Sequence, residues 1–179
     1  LSQTGPAVAK TDLNNDGLED VFIGGGHQQP AQLLMANKQG GFEVKTIQEF
    51  INDASFEDVA ACFLDVDLDG DQDLYVVSGS YEFDKNAALL QDRLYINNGK
   101  GAFKRSRNAL PEMRNAGAVV KAVDFDKDGD LDLVTGSFSS DHKLYLNQGS
   151  PNYFKDSSAI PIPFSDHFSQ LAFTSGDFN

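Results

Sequence analysis

Tryptophan is absent from these 179 residues, and cysteine occurs once, as Cys62. A single cysteine excludes a disulfide framework within the chain. It lies in the apolar run Val59-Ala60-Ala61-Cys62-Phe63-Leu64, where it reads as a small buried hydrophobe and not as a reactive thiol. No apolar run approaches the roughly 18 residues that a membrane helix requires. Basic residues are scarce: 14 Lys and Arg stand against 27 Asp and Glu, for a net charge of −13. Such a chain lacks the basic footprint that nucleic acid demands. Its one basic cluster, Lys104, Arg105, Arg107 and Arg114, reads as a solvated inter-strand loop. A signal peptide and an initiator Met are also missing, so the sequence reads as an excised or processed piece.

What is present in excess is acid, and it is concentrated. Residues 12–20, 65–73 and 124–132 hold four, five and five of the 27 acidic residues. Each stretch places oxygen-bearing side chains at positions 1, 3, 5 and 9 and Gly at position 6. In the first these are Asp12, Asn14, Asp16 and Asp20; in the second, Asp65, Asp67, Asp69 and Asp73; in the third, Asp124, Asp126, Asp128 and Asp132. That is the ligand grammar of a calcium loop, completed by a main-chain carbonyl at position 7, here Leu18, Asp71 and Asp130. Three bound Ca²⁺ would reduce the net charge of −13 to about −7. Without metal, the carboxylates crowded into each loop should repel one another and loosen it.

The loop type decides the kind of function. A helix-flanked sensor loop needs a bidentate Glu at position 12, but that position holds Ile23, Val76 and Thr135, none of which chelates. Both flanks read as strands. Oxygen-only ligation in a flexible loop favours Ca²⁺ over Mg²⁺, which demands octahedral geometry, and over Zn²⁺, which prefers His or Cys. The first loop, with Asn14 at position 3, has one carboxylate fewer and is expected to bind most weakly.

The loops recur with a period. Asp12, Asp65, Asp124 and Asp177 are separated by 53, 59 and 53 residues, and Asp177 with Asn179 would open a partial fourth site. Each loop is preceded by a short apolar strand rich in Ala (7–11, 59–64, 118–123 and again 171–175) and followed by a second (20–24, 73–78, 132–136). A third strand reads 33–37, 94–97 and 144–147, each closing on Asn before a turn; the fourth opens on Phe42, Phe103 or Phe154. The small residues of the first strand suit a crowded inner position. Four antiparallel strands in about 55 residues, repeated, describe an all-β chain of propeller blades. The repeats span approximately 5–57, 58–116 and 117–169, with 170–179 beginning a fourth, all within one partial domain over 1–179. The connections 48–58, 106–116 and 156–169 are longer. The second repeat also carries an insertion at 79–92, in which residues 87–91 would form one helical turn.

The three DxDxDGxxD-type loops, with the Leu-Tyr-x-Asn-x-Gly runs at 94–99 and 144–149, resemble the FG-GAP/VCBS repeat family. That family includes the propeller of integrin α-subunits and many secreted bacterial proteins. The Leu-Tyr-x-Asn form is closer to the bacterial VCBS and cartilage-acidic-protein-like branch. No literal Phe-Gly followed by Gly-Ala-Pro occurs, so an integrin-type ligand-binding role is not carried over. The resemblance implies structural Ca²⁺, about one ion per loop, in a propeller of roughly seven blades. It also implies an extracellular, secreted or cell-surface setting, bacterial periplasm and outer surface included.

Two functions follow as expectations. One is a non-enzymatic, calcium-stabilised module that binds a protein or glycan ligand, or further blades of a parent chain. The other is a fragment of a calcium-dependent extracellular enzyme, such as a polysaccharide lyase or phospholipase. The sequence contains no GxSxG, HExxH or P-loop pattern. His27, His142 and His167 stand at unrelated places in the repeats. Of the tyrosines suited to stack on sugars, Tyr81 and Tyr95, the second belongs to the repeated Leu-Tyr motif and reads as core.

Overall fold

The computed structural model describes residues 6–80, 82–84, 86–137 and 142–158. The strand expected at 171–175, the partial site at Asp177 and Asn179, Tyr81 and His167 lie outside the described residues. Among the described residues, twelve strands form three four-stranded antiparallel sheets, each a meander in sequence order. Blade 1 contains β1 (Val8–Thr11), β2 (Asp20–Ile23), β3 (Gln32–Ala36) and β4 (Phe42–Lys45). Blade 2 contains β5 (Asp58–Leu64), β6 (Asp73–Ser78), β7 (Arg93–Asn97) and β8 (Phe103–Arg105). Blade 3 contains β9 (Gly117–Val123), β10 (Asp132–Ser137), β11 (Lys143–Asn147) and β12 (Phe154–Asp156). The chain is therefore all-β and built of propeller blades, as its repeat pattern predicts.

The first strand of each blade is the inner one: β5 lies beside both β1 and β9. Their small residues answer to that crowding. A Cβ on Gly79 would stand 2.5 Å from the Gly117 carbonyl oxygen, so neither blade end tolerates a larger side chain there. Successive blades stack face to face. Phe22 and Leu33 of blade 1 meet Leu74, Val76 and Tyr95 of blade 2; Tyr75, Val77 and Leu94 on its other face meet Leu133, Tyr145 and Phe154 of blade 3. β6 is consequently buried at all six positions, as a strand covered on both faces must be.

The structure departs from the sequence reading in three places. The first inter-blade connection carries a short helix, α1 (Gln48–Asn52), whose Phe50 packs edge-on against Phe22 and Tyr95 and stacks on Phe103. Arg105 is not solvated: it pairs with Asp53 at 2.6 Å and lies over the Phe56 ring. The third strand of blade 1 ends at Ala36, one residue before Asn37. Register shows why. Val21 faces Leu34, whereas the equivalent Leu74 and Leu133 face Tyr95 and Tyr145, so Ala36 takes the place of Asn97 and Asn147. Asn37 corresponds instead to Asn98; both accept turn amides through Oδ1. The helical turn in the insertion is present as a 3₁₀ segment, Ala88–Leu90.

Candidate metal centres

All three loops adopt the same backbone, which side-chain carboxylates organise from within. The position-1 carboxylate accepts the N–H of positions 5 and 6: Asp12 from Asp16 (3.1 Å) and Gly17 (2.8 Å), and Asp65 from Asp69 (3.1 Å) and Gly70 (2.9 Å). The position-5 carboxylate accepts the N–H of position 7 in every loop, from Leu18, Asp71 and Asp130 at 2.9–3.1 Å. Position 6 requires glycine, with φ of +86°, +92° and +100° at Gly17, Gly70 and Gly129. Position 4 is left-handed as well: Asn15, Leu68 and Lys127 have φ of 57°, 60° and 65°. Asn suits that conformation; Leu68 and Lys127 are held in it by the closed loop.

Position 9 has a second task that its place in a ligand series does not reveal. Asp20, Asp73 and Asp132 are almost wholly buried at 0–1% exposure, and each grips two separate backbone segments. One oxygen accepts the N–H of loop position 2 (Leu13 3.0 Å, Val66 3.0 Å, Phe125 2.8 Å). The other accepts the N–H at the end of the blade's third strand (Ala36 2.8 Å, Asn97 2.8 Å, Asn147 2.9 Å). The residue is thus a staple joining the loop to two strands.

The donor atoms gather as a metal would require in two loops. Ligand oxygens of Asp65, Asp67 and Asp73 lie within 4.8 Å of one another, as do those of Asp124, Asp126 and Asp128. Loop 1 assembles no such trio of acidic groups among the described residues; the Nδ2 of Asn14 donates to Asp16 at 3.2 Å instead. Asp69, Asp71, Asp130 and Asp132 lie outside the two trios, as do Asp12, Asp16 and Asp20. The Asp71 side chain rests against Gly99 of the following turn, and Glu19 pairs outward with Lys10 at 2.6 Å.

The electrostatics are those of crowded, partly buried carboxylates. Burial, then the like charges of Asp69 and Asp65, pushes the Asp67 carboxyl upward. Burial, against two backbone hydrogen bonds, raises Asp73 to about 7, and burial followed by Asp128 and Asp132 raises Asp130 to about 6. In loop 1 the balance is reversed: burial opposes ionisation, but amides from Gly17 through Asn14 outweigh it and lower Asp12. Asp67 Oδ1 and Asp130 Oδ1 are shut from solvent with no hydrogen-bond partner. A buried carboxylate oxygen without a donor is costly unless a cation satisfies it. The all-oxygen donor set, and the orphaned Asp67 Oδ1 within the loop 2 trio, fit a hard divalent ion.

A second polar cluster escaped the sequence reading. Arg93 is buried between blades 1 and 2, where it pairs with Asp58, donates to Ser78 Oγ and Tyr95 Oη, and covers the Phe56 ring at 4.3 Å. Asp58 also accepts the Gly25 N–H at 2.8 Å, and Tyr95 donates to Asp53 at 2.8 Å, as a buried core tyrosine should. Tyr75 Oη donates to Asp92 at 2.6 Å. These groups are packed into the seam, and Asp58 also lines the groove at its rim. Cys62 is half-buried, and burial pushes its thiol up to about 12, so it is inert at neutral pH. At the end of β2 away from the acidic loops, Gly24, Gly25, Gly26, Gln29, Glu57 and their neighbours line an open groove of about 420 Å³.

Comparison with known proteins bears on this arrangement directly. The model of the FG-GAP-like repeat matches residues 12–76 and again 65–135, each match running from one acidic loop into the strand after the next. Integrin alpha-V of Gallus gallus is 29% identical over 162 residues. That similarity covers 76% of this chain but only 15% of the relative, so the chain spans a small part of that protein.

Proposed function

The chain belongs to the FG-GAP-like repeat family, and on that premise we propose that its three acidic loops bind Ca²⁺ structurally in an extracellular, non-enzymatic β-propeller module. The carrying observation is Asp67 Oδ1, closed off from water and from every donor inside a converging trio of carboxylates. In loop 2 the ion would be held by Asp65, Asp67 and Asp73, joined by Asp69 and the Asp71 carbonyl. In loop 3 the holders would be Asp124, Asp126, Asp128 and Asp132 with the Asp130 carbonyl. In loop 1 they would be Asp12, Asn14, Asp16 and Asp20 with the Leu18 carbonyl. Asp177 and Asn179 would begin a further site. The ion supplies positive charge to carboxylates that otherwise repel; the staples at position 9 already fix the backbone around it.

Blade 1 supports the reading of a larger propeller. The face it turns away from blade 2 carries Val8, Val21, Ile23, Leu34, Phe42 and Val44 by register. Val8, Phe42 and Val44 are 61%, 54% and 67% exposed. The equivalent face of blade 2 is covered by blade 1, so a further blade of a parent chain is the natural cover. The groove at the opposite rim is where a protein or glycan ligand would be accommodated, since loops on a rigid scaffold carry recognition.

Melting the chain in millimolar Ca²⁺ and in EGTA tests the central claim. A ligand that binds only the folded form stabilises it by about 2.7 kcal/mol per site at a hundredfold excess over Kd. The melting temperature should therefore fall by several degrees in EGTA. An unchanged value would sink the structural-calcium reading.

A further inference from the structure

The position-9 staples of blades 2 and 3 are not independent. Asp132 Oδ1 accepts the N–H of Asn147 at 2.9 Å. The Nδ2 of that same Asn147 reaches across the blade seam and donates to the Val66 carbonyl at 3.0 Å. The Val66 N–H in turn donates to Asp73 Oδ2 at 3.0 Å. Three hydrogen bonds, running through the residues Asn147 and Val66, therefore join the buried carboxylate of loop 3 to that of loop 2. The path is dry: Asn147, Val66, Asp73 and Asp132 are all 0–2% exposed. Moreover, the carbonyl that Asn147 holds belongs to the peptide leading into Asp67, whose Oδ1 is the orphaned acceptor of loop 2.

The other seam lacks this connection. Asn97, the counterpart of Asn147, turns its Nδ2 to Gln72 of its own blade at 3.1 Å. A shared architecture thus carries one wired seam and one unwired seam, which makes the wire's effect separable from that of the scaffold.

We propose that Asn147 is a positioning residue that couples the metal loops of blades 2 and 3, so that filling either loop raises the affinity of the other while loop 1 titrates alone. The proposal rests on the calcium reading of the loops. The physical basis is that an ion in loop 3 fixes Asp132 and with it the Asn147 backbone. Fixing Asn147 immobilises the Val66 peptide, so loop 2 loses less freedom when it closes. Such coupling must be reciprocal, and values of five- to a hundredfold are usual; through three hydrogen bonds we expect about fivefold.

The test is a Ca²⁺ titration of the full chain followed by the amide resonances of Gly17, Gly70 and Gly129, which report the three loops separately. Asp126→Asn, which weakens loop 3 at an exposed position, should lower the affinity read at Gly70 about fivefold; Asp67→Asn should lower that at Gly129 by the same factor. Neither should move Gly17. Asn147→Asp keeps the shape of the side chain and its acceptor for the Gly149 N–H, but replaces the donor that faces Val66. In that background Asp126→Asn should no longer affect Gly70. Asn147→Ala, checked for an unchanged amide spectrum, should behave likewise. A mutual effect that survives in Asn147→Asp, or its absence in the unmodified chain that still fills three sites, would overturn the coupling alone. Failure of the unmodified chain to take up Ca²⁺ would overturn the calcium reading, and the coupling with it.

Discussion

Asp92 is a buried carboxylate with no cation of its own, and replacing it with Asn should change how stability depends on pH. Its two oxygens accept Tyr75 Oη at 2.6 Å and the Ser78 N–H at 2.8 Å. Burial dominates its ionisation and raises it from 3.8 to about 7, against the help of Tyr75, Ser78 and the neighbouring Arg93, whose guanidinium is paired with Asp58. Because the folded pKa lies above the unfolded one, the folded chain holds a proton between pH 4 and 7 that the unfolded chain has lost. Stability from this group is therefore greatest below pH 4 and declines as pH rises through about 7. The rise from 3.8 to about 7 is worth about 4 kcal/mol.

Asn matches the protonated form: its Oδ1 accepts the Ser78 N–H, while its Nδ2 donates to Tyr75 Oη. The variant therefore avoids the ionisation penalty and keeps both contacts, with the Tyr75 O–H turned toward Met113 Sδ at 4.0 Å. Urea titrations of the unmodified chain and Asp92→Asn at pH 5 and pH 8, both in saturating Ca²⁺, isolate the effect because other titrations cancel in the difference. The variant should gain on the unmodified chain by about 2–3 kcal/mol between the two pH values. A difference that is independent of pH would refute the reasoning, because it would mean that Asp92 ionises as easily folded as unfolded.

Two further outcomes follow from single positions. Arg93→Met leaves Asp58 as an unpaired buried charge and should cost about 3–5 kcal/mol in a chemical denaturation, with much of the loss recovered by adding Asp58→Asn. Leu68 holds a φ of 60° while 66% exposed, so it suffers left-handed strain without packing in return. Leu68→Asn should stabilise the chain by about 1 kcal/mol, measured as a rise in the denaturation midpoint with unchanged slope.

The repeat, its four strands and the three loops were legible because each is written locally: a Gly where φ must be positive, carboxylates at alternate positions, β-branched runs on either side. What eluded the sequence is non-local. Asp53, Asp58, Arg93 and Arg105 are separated by up to 52 residues and meet only when the strands of blade 2 pair and the connection before it folds back, so no spacing announces them. Helix α1 is five residues long without a side-chain cap, too short to show a period; Phe50, plugged between aromatic rings, holds it in place. The alignment of Asn37 with Asn97 failed because the text of the motif was read without register. A one-residue offset in β3 moves the strand's last position to Ala36.

The staple at position 9 decides how far metal can account for the fold. If Asp132 were a ligand and nothing more, its loss would matter only with Ca²⁺ present. The structure shows both its oxygens committed to the Phe125 and Asn147 amides. Asn in its place offers one acceptor and turns an N–H toward one of those buried donors. The mismatch costs about 1–3 kcal/mol whatever the metal concentration. Asp128 is different: it is exposed, and its carboxylate accepts the N–H of the neighbouring Asp130. Asp132→Asn should therefore lower the melting temperature in EGTA as well as in Ca²⁺, whereas Asp128→Asn should lower it in Ca²⁺ only. Equal behaviour of the two variants in EGTA would show that the blade frame is not set before the ion arrives, and that the metal creates the loop it occupies.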